Sequence, residues 1–335
     1  MPGKRICNIF CTLFCQACQA VVLAALCGGA SVHAEDVVRL GNLKFAHFGA
    51  VSYIKEIAPS CGIRVEEKIF AKGLDVMQAI IAGELDVGTS ASEAAISGRA
   101  SGAPIFIVAG FARGGARLVA RPGLGVKGIR DLKGRKVGVT RGGIQEVLLM
   151  AKLQQHGMSA DSAPGKDVQL IYLPFADLNQ ALMGGNIDAM MQSEPQSSQA
   201  INKGFGMEVL KPYDTPIGEP VRTMVMTEAF YGGRRALAEK FMRCFVRATR
   251  TFISEPAVAE KYVREVIYKG QITRNDFADA IGNAPYSLDV TAAHIQVTTD
   301  TMLKTGVGRM ARAPLATDWV RTDLLEAAKK SAGAR

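Results

Sequence analysis

The residues best suited to chemistry in this sequence are Thr140-Arg141-Gly142-Gly143, a hydroxyl, a guanidinium and two glycines where a helix pattern begins. Free backbone N–H groups and the positive end of a helix dipole favour an anion there. Arg141 could add paired, charge-assisted hydrogen bonds to a sulfonate or carboxylate. Read as scaffold, the same loop is a βα turn whose glycines serve the backbone and whose arginine is solvated. Thr89-Ser90 supplies two more hydroxyls, either a helix start facing a ligand or a simple N-cap. Glu194 is unfavourable beside a purely anionic ligand. It would pair with Arg141, accept from a ligand amine, or face solvent at a helix start. His47, His156 and His294 lack metal-ligand spacing; His47 is a candidate contact and His156 a helix end. No G-x-S-x-G or H-E-x-x-H motif occurs, so no catalytic residue, metal or cofactor is expected.

The cysteines need separate treatment. Cys11, Cys15 and Cys18 have the C-x3-C-x2-C spacing of an iron–sulfur site. They lie, however, between Lys4-Arg5 and the small-residue site Val32-His33-Ala34, across an apolar run that is cleanest at Ala20–Leu26. That is the pattern of a secretory signal peptide, residues 1–34, whose cleavage would leave a mature, exported chain from Glu35. Gln16 and Gln19 interrupt the run and Gly28-Gly29 end it, against a membrane anchor. Of seven cysteines only Cys61 and Cys244 remain, and spacing leaves open whether they pair or stay as free buried thiols. Loss of Lys4 and Arg5 takes the net charge from +9 to +7. The basic residues are scattered without aromatic interleaving, so nucleic acid is not an expected partner. About 300 residues suggest two compact domains.

The elements that must position these residues read as alternating strands and helices. Val37–Leu43, Ile63–Phe70, Leu85–Gly88 and Ile105–Ala109 are expected strands, separated by helices near Ala50–Ala58, from an Asp75 cap to Ala82, and after Thr89-Ser90. The pattern restarts with strand Lys136–Val139, helix Ile144–Gln155, strand Val168–Leu173, a helix from an Asp177 cap to Met183, and strand Ile187–Met191. Residues 75–87 and 177–189 share aspartate, glutamine, alanine, glycine and aspartate at a constant offset of 102 (177 minus 75), which indicates two equivalent lobes. Val221–Thr227 is a strand and the remainder helical, with one stripe of Leu237, Phe241, Phe245, Thr249 and Phe252 and another of Val258, Tyr262, Val263, Val266 and Ile267. These helices are expected to pack on the first lobe. The chain then crosses twice, near Leu118–Arg121 and near Arg222–Thr227, making a hinge and a cleft that closes. The expected division is 35–120 plus 226–335 for lobe 1 and 121–225 for lobe 2.

At this point the chain resembles a known group. D-L-K-G-R-K-V-G-V (Asp131–Val139), G-E-L-D-V-G (Gly83–Gly88) and G-N-I-D-A-M-M-Q-S-E-P (Gly185–Pro195) are similar, in order and spacing, to segments of the periplasmic solute-binding proteins of ABC importers. The group is the nitrate/sulfonate/taurine/bicarbonate and thiamine-pyrimidine one, with the type II fold. The resemblance runs from about Val37 to the C-terminal helices. It implies an α/β, two-lobed fold, each lobe a mostly parallel sheet flanked by helices, and a monomer that hands a small solute, here an anion, to an ABC permease. Ligand contacts would come from loops at the carboxyl ends of strands. In the first lobe these are Phe45, His47, Lys72 with Gly73, Thr89, Ser90, Phe111 and Arg113. In the second they are Thr140, Arg141, Gly142, Gly143, Pro174 with Phe175, Gln192 and Glu194. Phe45, Phe70 and Phe111 fit a core as well as a ligand face. Arg141 stands where members usually have a small polar residue, and Gln196-Ser197-Ser198 where many have an aromatic one. Two alternatives accompany this reading. One is a binder of a pyrimidine held by Glu194 and Gln192; the other is an enzyme on the same fold, since the group includes a pyrimidine-synthesising one.

Overall fold

The computed structural model describes residues 36–308 and 310–333; the expected signal peptide lies outside them. Two sheets organise the chain. The first is built from β1 (Val37–Leu43), β2 (Arg64–Phe70), β3 (Val87–Ala91), β4 (Ile105–Arg113) and β11 (Val221–Thr227), in the order β2-β1-β3-β11-β4. β2, β1 and β3 are parallel, and β11 runs antiparallel between β3 and β4. The strands alternate with α1 (Gly49–Ile57), α2 (Gly73–Ile81) and α3 (Ser92–Ala100). The second sheet contains β5 (Arg117–Ala120), β6 (Lys136–Val139), β7 (Ala160–Asp161), β8 (Val168–Tyr172), β9 (Ala189–Gln192) and β10 (Met207–Leu210), in the order β10-β5-β9-β6-β8-β7. Its helices are α4 (Ile144–Gln155), α5 (Phe175–Met183) and α6 (Gln196–Asn202). Both sheets are mixed, with most of the βα order parallel, as the alternation of elements requires.

The repeat is a structural one. α2 and α5 begin and end at the same offset of 102 (175 minus 73, 183 minus 81), and so do the starts of β3 and β9. Gly83 and Gly185 both take positive φ, +75° and +74°, the left-handed turn that ends a helix at low cost only for glycine. Asp86 Oδ2 accepts the Arg39 N–H and Asp188 Oδ2 the Lys136 N–H, each at 2.9 Å. The repeated aspartate therefore secures the incoming strand to its parallel neighbour in each sheet. Asp75 and Asp177 are not caps, contrary to expectation. Both helices start two residues earlier, at Gly73 and Phe175, and the aspartates sit in the first turn, where a carboxylate still favours the helix dipole.

The chain crosses at Gly114–Ala116, slightly before the expected site, and returns between Leu210 and Val221. Gly114 and Gly115 have φ of +67° and +72°. A Cβ on Gly114 would lie 2.4 Å from the Asn283 carbonyl oxygen, so the crossing tolerates no side chain there.

The C-terminal segment forms α7 (Arg235–Ser254), α8 (Pro256–Lys261), a π-helical turn Tyr262–Ile267, α9 (Arg274–Asn283), α10 (Ala292–Thr305) and α11 (Asp323–Gly333). The stripe Leu237, Phe241, Phe245, Thr249 and Phe252 is buried throughout, and α7 packs on α1 and α11. The reach of these helices is wider than expected: α9 packs on α6, and α10 touches both α3 and α4. Cys61 and Cys244 are joined in a disulfide across 183 residues. Among the described residues, no helix is long and apolar enough to cross a membrane.

Candidate functional site

A cavity opens between the carboxyl ends of the strands of the two sheets. From the first side it is lined by Leu43 at the end of β1, by Phe45, His47 and Phe48 after it, by Gly73 at the start of α2, and by Ala91 and Glu93 where β3 passes into α3. Arg222 of β11 lines it too. From the second side come Gln145 of α4, Phe175 of α5 and Ser193 after β9. The rings of Phe45 and Phe175 meet edge to face across it, with centroids 5.3 Å apart. Only ≈ 20 Å³ of solvent-sized space remains, room for about one water.

The polar lining is unusual for its burial. Arg222 is 2 % exposed, and its Nη2 donates to the Gly114 and Gly115 carbonyls at 2.8 and 2.9 Å. Its Nε finds no partner among the described residues, and neither do both ring nitrogens of His47 and Oε2 of Glu93. Buried polar atoms without partners are costly, and three such side chains lining one cavity make it the candidate site. Burial pulls the Arg222 pKa down, with Glu93 opposing. Burial, then the Arg222 charge, holds His47 well below its ordinary value, so its ring is neutral at neutral pH. Burial pushes the Glu93 carboxyl up to about 7, against the pull of Arg222 and of nearby backbone N–H groups, Ile144 of α4 among them.

The candidate residues separate on this geometry. Phe45, His47 and Phe175 line the cavity. Gln192 supports it from behind: its Nε2 donates to the Phe175 carbonyl at 3.0 Å and its Oε1 accepts from the Ser193 N–H at 2.8 Å. Thr89 and Ser90 lie within β3, not at a helix start. Thr89 Oγ1 donates to Asn42 Oδ1 of β1 at 2.5 Å, tying two strands together, and Ser90 Oγ donates to the Ala91 carbonyl of its own strand at 2.9 Å. Phe111 is core, packed on Phe48 at 4.7 Å. Lys72 is exposed beside Asp75, and Arg113 is half-exposed near Asp289.

The loop at residues 140–143 is satisfied from within. Thr140 Oγ1 donates to the Leu173 carbonyl at 2.9 Å, Gly143 N–H to the Thr140 carbonyl at 3.3 Å, and Gly142 N–H to Glu146 Oε2 at 2.5 Å. A carboxylate of its own helix thus takes the place an anion would have. Arg141 lies outside the cavity lining, exposed, with its guanidinium 3.8 Å from the centre of the Tyr172 ring, where a planar cation stacks favourably. Glu194 faces neither solvent nor Arg141. It is fully buried, pushed up to about 7 by burial against the pull of Arg117 and Ser198. Arg117 Nε donates to its Oε1 at 2.5 Å, and the same guanidinium reaches Glu208, Ser198 and Asp279 at 2.7–2.8 Å.

The family profile described as "NMT1/THI5 like" matches residues 60–259 of the chain. The chain belongs to the NMT1/THI5-like family. A candidate aliphatic sulfonates-binding protein of Escherichia coli K12 is 30 % identical over 199 residues, which is 58 % of this chain and 57 % of that protein. The chain therefore aligns with little more than half the length of that relative. Among solved structures, the alkanesulfonate-binding protein SsuA of Xanthomonas axonopodis pv. citri, bound to MOPS, superposes with a TM-score of 0.72 at 16 % identity, covering 86 % of this chain and 99 % of that one. The periplasmic nitrate-binding protein NrtA of Synechocystis PCC 6803 gives 0.72 at 16 % identity, over 90 % of each chain. At these identities the structures establish a shared fold, the two-sheet fold of periplasmic binding proteins. The relatives are binding proteins, not enzymes, by the names they carry.

In this member of the NMT1/THI5-like family, four polar cavity residues escape local sequence reasoning: Glu93, Gln145, Ser193 and Arg222. Glu93 and Arg222 still leave a trace. Each is a charge set among small or apolar neighbours in an element buried on every side, A-S-E-A-A-I and V-R-T-M-V-M. A charge placed there must be paired or functional.

Proposed function

We propose that the chain is an extracytoplasmic solute-binding protein that captures a small anion in the cavity between its two halves. It delivers this solute, as a monomer, to an ABC permease at the membrane. The solute class is nitrate, a sulfonate or an organic carboxylate. The observation that carries the reading is Arg222, a fully buried guanidinium in the cavity wall whose Nε has no partner among the described residues. It takes the role first sought in Arg141. A charge-assisted hydrogen bond to a bound anion is worth roughly 1.5–3 kcal/mol. The small space means that the halves part, or Phe45 and Phe175 swing aside, to admit anything larger than a water.

Titration calorimetry with nitrate, alkanesulfonates, aromatic carboxylates and an uncharged pyrimidine tests this directly. Wild type should bind one of the anions, and Arg222→Gln should weaken that binding by about tenfold or more. A variant that binds the anion as tightly as wild type would remove the arginine from the site.

Glu93 and His47 favour a second reading, in which an aminopyrimidine donates to the carboxylate. The pH dependence separates the two. Below about 7 Glu93 is protonated and does not repel an anion; above it the carboxylate does. Anion affinity should fall by about tenfold between pH 6 and pH 8, and Glu93→Gln should flatten that slope. For an aminopyrimidine the slope reverses. Stability follows its own sign: a carboxyl raised from the usual value to about 7 on folding stabilises the fold at low pH, and this is lost as pH rises from about 4.5 to about 7.

A further inference from the structure

A second hollow, ≈ 460 Å³ in volume, lies on the outer side of α7. It shares no lining residue with the cavity between the sheets. Lys240, Arg243, Arg247 and Arg250 recur at i, i+3, i+7 and i+10 and so project from one face of the helix. The opposite face, with Phe241, Phe245 and Phe252, is buried. The facing wall is the Ser60-Cys61 turn, held against the helix by the Cys61–Cys244 disulfide.

Three features distinguish this hollow from an ordinary charged helix face. It is concave, and none of the described residues lining it is acidic. The guanidiniums are also positioned by neutral acceptors. Arg247 Nη2 donates to Ser60 Oγ at 2.5 Å and to the Ile57 carbonyl at 3.2 Å, and Arg250 Nη2 to the Lys329 carbonyl at 3.1 Å. Like charges at these spacings repel one another, a cost that a multivalent anion in the hollow would relieve. Hydroxyls of Thr251, Ser254 and Ser331 complete the lining.

We propose that this hollow binds a phosphate-bearing polyanion. A single monoanion would match only one of the three guanidinium charges of Arg243, Arg247 and Arg250. A diphosphate, or several phosphodiester headgroups side by side at a lipid surface, presents more than one negative charge to guanidinium forks suited to phosphate. The site is independent of the solute-binding cavity.

The test uses the full, disulfide-intact chain in low-salt buffer, with pyrophosphate titrated calorimetrically and with vesicles of phosphatidylglycerol or of phosphatidylcholine in a sedimentation assay. Arg243→Gln/Arg247→Gln should weaken pyrophosphate binding by about tenfold or more. Lys127→Gln/Arg130→Gln, which removes the same charge elsewhere, should leave it unchanged. Arg243→Gln alone, at an exposed position, should give a smaller loss without any question of folding. Pyrophosphate binding without vesicle recruitment assigns a soluble polyanion; recruitment to phosphatidylglycerol vesicles that the double variant abolishes assigns a lipid headgroup. The proposal is overturned if neither probe binds, or if the control variant weakens binding as much as Arg243→Gln/Arg247→Gln.

Discussion

Arg117→Ala should cost roughly 3–5 kcal/mol of folding stability, the range for breaking a buried ion pair by removing one partner. Arg117 is 2 % exposed and gathers groups from four places: Glu194 after β9, Ser198 on α6, Glu208 on β10 and Asp279 on α9. Burial pulls its pKa down, but the charge of Glu194 and the bonds to Glu194, Glu208 and Asp279 more than reverse this. Without the guanidinium, Glu194 is a fully buried carboxyl whose remaining side-chain partner among the described residues is Ser198. Arg117→Lys keeps the charge but not the fork, and should fall between wild type and alanine. Adding Glu194→Gln to Arg117→Ala should recover part of the loss, because an amide is cheaper to bury than a carboxylate. Denaturant unfolding measures all of these; a loss below about 1 kcal/mol for Arg117→Ala would show that water replaces the network at little cost.

Removal of the Cys61–Cys244 bond should cost about 2–5 kcal/mol. The bond closes 183 residues, a loop long enough to put the unfolded-chain entropy effect at the upper end of that range. It ties the turn before β2 to the middle of α7. A chain of this size should lose on the order of 10 °C in melting temperature, in reductant and in a Cys61→Ser/Cys244→Ala variant alike. Equal melting temperatures with and without reductant would mean that packing of α7 on α1 suffices by itself.

How much of this was legible depended on how local each signal was. β1, β6, α4 and β11 have the bounds that periodicity predicts, because each pattern lies within one element. The repeat was legible because its glycine and second aspartate do the same physical work in both sheets. Thr89-Ser90 misled because hydroxyls before a helix look alike whether they cap it or bond across strands; the deciding partner, Asn42, lies 47 residues away. Asp75 and Asp177 misled because a carboxylate stabilises a helix start from the first turn as well as from the cap. The Cys61–Cys244 pairing and the cavity needed the fold itself. His47, Glu93, Gln145 and Arg222 come from four separate elements, and no spacing in the chain announces that they meet.

The order in which the strands lie has a consequence for synthesis. β11 pairs with both β3 and β4 in the middle of the first sheet, yet it follows the whole second sheet in the chain. A polypeptide emerging amino end first can therefore complete β5 to β10 while β3 and β4 still wait for the strand between them. Until residue 227 is free, two neighbouring strand edges stand open, and open edges are where chains pair wrongly with one another. The half that begins the sequence is thus the last to close, and the nascent chain is most in need of chaperoning over the stretch between β4 and β11.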